Sequence, residues 1–194
     1  MVHTQVSGFV LAGGKSARMG RDKALLPVPG AVRETLGARA VRVLREACVE
    51  HVVALGHARG IPSDVPRIVD AVADAGPLGG IVALLASSLA ERYVVVTVDM
   101  PFITAEHLRK LINASDAARA AMFELEGVVE PFPCVLPASA RDDVQRAVDA
   151  GERRAGDVLR ALSYARIAIT DRAVMRNLNT PADFDDSASG TSDQ

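Results

Sequence analysis

The sequence predicts a three-layer α/β fold, a largely parallel sheet covered by helices. Three observations predict it. Short, β-branched apolar runs alternate with amphipathic helical patterns. Glycine-rich or acidic segments follow several of those runs at their carboxyl ends, where open α/β sheets bind ligands. The length, 194 residues, suffices for one sizeable core and is short for two ordinary domains.

Each element follows from its pattern. Val6–Leu11 reads as a strand buried on both sides, and 35–48 as an amphipathic helix with Leu36, Ala40, Val41, Val43, Leu44 and Ala47 on one face. Val52–Leu55 and Arg67–Val69 are short strands. Leu78–Leu89 is a helix entered from Pro77, a residue suited to the first turn. Tyr93–Val98 is a strongly β-branched strand, and Thr104 can cap a helix through Asn113. Beyond it, Ala120–Phe123 and Gly127–Glu130 are expected strands, 139–150 and 156–162 helices, and Arg166–Ile169 a last strand. One domain over 1–184 is expected, with the polar segment 185–194 a disordered tail.

Composition excludes several classes. A formal net charge of −2 gives no reason to expect nucleic acid as a partner. No signal segment and no apolar run of membrane-spanning length is visible, so a cytoplasmic protein is expected. Cys48 and Cys134 are too few for a disulfide framework, and His3, His51, His57 and His107 show no ligand spacing. The two thiols are expected to be buried or inert, and the four histidines structural or solvated.

Chemistry concentrates after the first strand, in Leu11-Ala12-Gly13-Gly14-Lys15-Ser16-Ala17-Arg18-Met19-Gly20-Arg21-Asp22-Lys23. Paired glycines let the backbone approach a ligand, and successive N–H groups form an anion nest. Lysine occurs at only three positions, Lys15, Lys23 and Lys110, and two of them lie here. The segment reads as a nucleoside triphosphate site. It is neither a Walker loop, since Phe9 stands where glycine is required, nor a dinucleotide fingerprint, since Gly13-Gly14 lacks the intervening residue.

Three further segments accompany it. Asp99 follows the run 93–98, where it suits magnesium or, alternatively, caps the next turn. Asp70 and Asp74 precede Gly76-Pro77-Leu78-Gly79-Gly80, a turn into a helix whose first amides can meet an anion. Gly79 and Gly80 are expected to clear space for a ligand. Asn177-Leu178-Asn179-Thr180-Pro181 offers amides that both donate and accept, beside a helix start.

Taken together, L-A-G-G-x-S-x-R-M-G-x-D-K, the G-P-L-G-G segment, Asp99-Met100-Pro101-Phe102 and N-x-N-T-P resemble the molybdenum cofactor guanylyltransferases. Gly13-Gly14 and Asp22-Lys23 favour that guanylyl branch over the related cytidylyltransferases. The resemblance implies a Rossmann-like nucleotidyltransferase fold with a mostly parallel, mixed sheet. It implies transfer of GMP from GTP to the terminal phosphate of molybdopterin, with Mg2+ as cofactor and release of pyrophosphate. Arg18, Lys23 and Asp99 would be catalytic, and Asp99 would bind the metal. Leu11, Ala12, Gly13, Gly14, Lys23, Asp70 and Asp99 would bind the nucleotide, with Asp70 nearest the guanine. Gly76, Pro77, Leu78, Asn177 and Asn179 would line the acceptor side. Molybdoenzyme maturation proteins are further expected partners. The chain departs from the family at Glu130-Pro131, where members often carry His-Pro; a glutamate there would ligate a second metal or orient the acceptor. Two other readings stand beside this one: a cytidylyl- or sugar-phosphate nucleotidyltransferase, and a non-catalytic adaptor that would bind nucleotide without releasing pyrophosphate.

Overall fold

The computed structural model describes residues 4–12, 22–31, 33–47, 49, 51–55, 59–68, 76–180 and 183–184. Strands β1 (Thr4–Leu11), β2 (His51–Leu55), β3 (Arg67–Ile68), β4 (Ala90–Thr97), β5 (Ala120–Leu125), β6 (Val128–Pro137) and β7 (Tyr164–Ile169) form one sheet. Their order is β3-β2-β1-β4-β6-β5-β7. β6 alone runs antiparallel to its neighbours, so the other six strands point their carboxyl ends to one edge.

Helices α1 (Leu36–Glu46) and α3 (Ala105–Ala114) cover one face, and α2 (Pro77–Ala86), α4 (Arg141–Asp149) and α5 (Ala155–Ala161) the other. Alternation along β1 and β4 sorts the cores. Val10, Val94 and Val96 meet Leu44 and Leu108 on one side, whereas Phe9, Leu11 and Val95 meet Leu78 and Ile81 on the other. The result is the three-layer α/β arrangement with a mixed, mostly parallel sheet.

Local chemistry sets the boundaries. Thr35 caps α1, its hydroxyl oxygen accepting from the N–H of Ala38 at 3.2 Å. α2 begins at Pro77 and stops at Ala86, short of the expected Leu89, because Ser88 turns left-handed (φ +54°) and Ala90 already pairs with Thr4. That pairing also explains why β1 starts at Thr4 and not at Val6. Arg92 donates to the carbonyls of Ile112 (3.0 Å) and Ser115 (3.1 Å), closing α3.

β6 departs most from expectation. The sequence suggested a strand only over Gly127–Glu130, yet β6 continues to Pro137 between β4 and β5. The register explains it: Phe123 pairs with Glu130 and Met122 with Cys134, so residues 131–133 bulge out of the ladder. The missing N–H groups of Pro131 and Pro133 are thereby tolerated inside a sheet. Glu126 and Gly127, both at positive φ, form the two-residue turn that joins β5 to β6.

Candidate nucleotide site

The site forms where β1 and β4 end side by side, with Leu11 paired to Thr97. Leu11 is buried, so it can meet a ligand only through its backbone; Ala12 follows it, half-buried. Two residues past β4, Asp99 is partly exposed. Met100 and Ile103 are buried beside it, and Arg39 of α1 donates from Nε to the carbonyl of Pro101. The acidic segment is therefore anchored from α1.

Lys23 opens a 3-10 turn, Lys23–Leu25, capped by Asp22. Its ammonium donates to Oδ1 of Asn179 at 2.7 Å and lies 3.6 Å from Oδ2 of Asp99. Three segments distant in sequence thus converge on one cation. The N–H of Leu178 donates to the carbonyl of Asp99 at 2.8 Å, while Leu178 itself is fully buried. Asn177, on the other side of Leu178, is exposed.

Asp183 organises the loop that carries Asn179. Its Oδ2 accepts from the N–H of Asn179 (2.7 Å), the N–H of Thr180 (2.6 Å) and the hydroxyl of Thr180 (3.0 Å). The two backbone donors hold its carboxyl below the ordinary carboxylate range. The T-x-x-D spacing of a capping box was the sequence signal for this role, and it was missed. Asp22 was likewise seen only as part of a motif; it caps the Lys23 turn and also accepts from Arg59.

The remaining expected residues fall into three groups. Gly13, Gly14, Arg18, Asp70 and Asp74 lie outside the described residues. Gly76 (φ +57°) and Pro77 start α2, and among the described residues no side chain caps the helix there. Leu78 is fully buried in the core, so it can meet a ligand only through its backbone. Gly80 needs correction. A Cβ there would stand 2.4 Å from Cδ2 of Leu55, so its small size serves the packing of α2 on β2, not ligand space.

Glu130 sits on β6 opposite Phe123, just before the bulge. Among the described residues no three His, Cys, Asp or Glu side chains group as a metal site. A single carboxylate still suits magnesium, which takes one or two carboxylates and completes its octahedron with phosphate oxygens and water. Cys134 is fully buried, which pushes its thiol upward, away from reactivity. Cys48, His3 and His57 lie outside the described residues; His51 is exposed, and His107 helps cap α3. No helix among the described residues is long and apolar enough to cross a membrane.

Comparison with known proteins shows the family and the fold. A probable molybdenum cofactor guanylyltransferase of Opitutus terrae is 37% identical over 191 residues, covering 93% of each chain. The molybdenum cofactor guanylyltransferase of Xanthomonas euvesicatoria is 38% identical over 180 residues, covering 90% of each. Among solved structures, a nucleotidyl transferase from Methanothermobacter superposes with a TM-score of 0.77 at 16% identity, over 96% of this chain and 97% of that one. A Mycobacterium tuberculosis protein, Rv0371c, solved in complex with manganese, gives 0.67 at 20% identity over 97% and 100%. The sequence profile of the MobA-like NTP transferase domain matches residues 8–167, the stretch that supplies Lys23, Asp99 and the sheet edge between them. The chain belongs to that family of nucleotidyltransferases.

Proposed function

We propose that this protein transfers GMP from GTP to the terminal phosphate of molybdopterin, releasing pyrophosphate and forming the guanine dinucleotide cofactor. The observation that carries the reading is the meeting of Lys23, Asp99 and Asn179 at the carboxyl ends of β1 and β4. The guanylyltransferases of Opitutus and Xanthomonas supply the choice of nucleotide and acceptor. The catalytic unit is residues 1–184, with 185–194 outside it, and its setting is the cytoplasm.

An oxygen of the acceptor phosphate attacks the α-phosphorus of GTP, and the bond from that phosphorus to the bridging oxygen breaks. Pyrophosphate leaves with the electron pair. The acceptor phosphate is already ionised, so no general base is required. Catalysis reduces to positioning and charge neutralisation. Lys23, held by Asn179 and Asp99, presents a fixed positive charge to the phosphates, and Arg18 adds a second. Magnesium on Asp99 would act as Lewis acid and template on the phosphate oxygens. Asp70 accepts from the guanine ring N–H and exocyclic amine. Asn177, with Gly76 and Pro77 at the start of α2, faces the acceptor.

The test is thermal unfolding with magnesium and each of GTP, CTP, UTP and ATP, followed by pyrophosphate release with molybdopterin. A nucleotide at 100 times its Kd adds about 2.7 kcal/mol. Selective stabilisation by GTP and molybdopterin-dependent pyrophosphate release are expected. Preference for CTP would move the protein to cytidylyl transfer. Tight binding without pyrophosphate release would make it an adaptor.

A further inference from the structure

We propose that Asp22 is the positioning residue for Lys23, tying the lysine's turn to the segment that leaves β2. The proposal rests on reading Lys23 as a phosphate-binding cation.

A carboxylate next to a phosphate-binding lysine needs a physical reason, because it repels the ligand that the lysine attracts. Its bonds give that reason. Oδ1 of Asp22 accepts from the N–H of Ala24 at 3.0 Å, and Oδ2 accepts from the N–H of Arg59 at 2.8 Å. One oxygen fixes the 3-10 turn that begins with Lys23; the other reaches across to residues 59–60, between β2 and β3. Asparagine would put an NH2 group in place of one of these two oxygens, and an NH2 cannot accept from the N–H it would face.

The junction is tight enough for this to matter. A Cβ on Gly60 would stand 2.0 Å from the carbonyl oxygen of Ala24, and one on Gly37 would stand 2.5 Å from the carbonyl oxygen of Gly60. Ala24 is fully buried between them. The main chain around Lys23 therefore rests on α1 through Gly37 and on the 59–60 segment through Gly60. Asp22 is a side-chain link within this stack, beside the Thr35 hydroxyl, which donates to the carbonyl of Gly60 at 3.4 Å. From that base the lysine side chain reaches Asn179 and Asp99. A shift of the turn would move the ammonium by a similar distance, and electrostatic stabilisation depends on such placement.

The experiment measures affinity for inorganic pyrophosphate with magnesium, by calorimetry, on wild type, Asp22→Asn, Lys23→Ala and the double variant. Amide exchange at Arg59 and thermal unfolding are measured on the same four proteins. Asp22→Asn is expected to weaken pyrophosphate binding about tenfold and to speed exchange at Arg59. In the Lys23→Ala background it should weaken binding less than twofold, yet lower the melting temperature as much as before. Equal weakening in both backgrounds would show that Asp22 acts independently of Lys23 and overturn the proposal. Unchanged exchange at Arg59, or no pyrophosphate binding by wild type, would overturn it as well. A failure of guanylyl transfer looks different: the coupling persists, while GTP gives no molybdopterin-dependent pyrophosphate release.

Discussion

The N–H of Leu178 donates to the carbonyl of Asp99 at 2.8 Å, fastening the closing asparagine motif to the acidic segment after β4. This main-chain bond brings Asn179 within 2.7 Å of Lys23. Each end of the lysine contact is braced by an aspartate, Asp22 on the turn and Asp183 on the loop.

Lys23→Ala and Asp99→Asn should each lower turnover by about 10²–10³-fold, the usual effect of removing one preorganised electrostatic partner. Both side chains are partly exposed, so melting temperatures should stay close to wild type. Asn179→Asp should be more damaging than Asn179→Ala, because it gives Lys23 a second carboxylate that competes with phosphate. Steady-state pyrophosphate release, compared across the four variants, checks this order.

Gly60→Ala should destabilise the fold by about 1–3 kcal/mol, since the new methyl meets main chain that cannot rotate away. Gly127→Ala, at φ +82° with nothing within 4 Å, should cost about 1–2 kcal/mol through backbone conformation alone. Urea unfolding reads both. Pyrophosphate binding separates them, since only Gly60→Ala disturbs the seat of Lys23.

His107 predicts a pH dependence of stability. Its Nδ1 accepts from the N–H of Thr104 at 3.2 Å in the capping box of α3, and burial chiefly, with Lys110 nearby, lowers its pKa from 6.5. Glu106 and Asp171 oppose that shift but do not reverse it. The protonated ring cannot accept, so the folded state resists charging. This contribution is present above 6.5, where both states are neutral, and is lost as pH falls through the lower folded value. His107→Gln keeps a capping-box acceptor without a titrating group. Its urea midpoint should change less than that of wild type between about pH 5 and pH 7.5.

Asp183 acts in a more acidic range. Because its folded pKa lies below 3.8, its contribution is present above that value and disappears as pH falls through the folded one. Asp183→Asn at neutral pH should retain the fold, loosen the Asn179 loop and lower turnover. Amide exchange at Asn179 and Thr180 should rise in the variant, and the kinetic loss should shrink in an Asn179→Ala background.

Local patterns made much of this legible. β1, α1, β4 and α3 were visible because apolar periodicity, with the cap at Thr104 for α3, is written in neighbouring residues. The part of β6 beyond Glu130 was not, because Pro131 and Pro133 lack the N–H groups a ladder needs and are accommodated only by the bulge against Met122 and Phe123. Lys23 and Asp99 could be named from their motifs, but not the contact with Asn179, which depends on chain return. Gly80 shows the opposite error: a glycine beside a candidate site was credited to ligand, whereas Leu55 on β2 requires it.

The strand order has a consequence for how the protein is made. β7 lies at the far edge of the sheet, so the chain must cross back past β5 and β6 before Leu178 can meet Asp99. A growing chain can pair β1 with β4 once Thr97 has been synthesised. Lys23 must wait until residue 179 has left the ribosome for its amide partner. Contacts so far apart in sequence are costly to close early. The cation site is therefore finished last, and a nascent chain cut off before Leu178 would carry the central strands without a completed site.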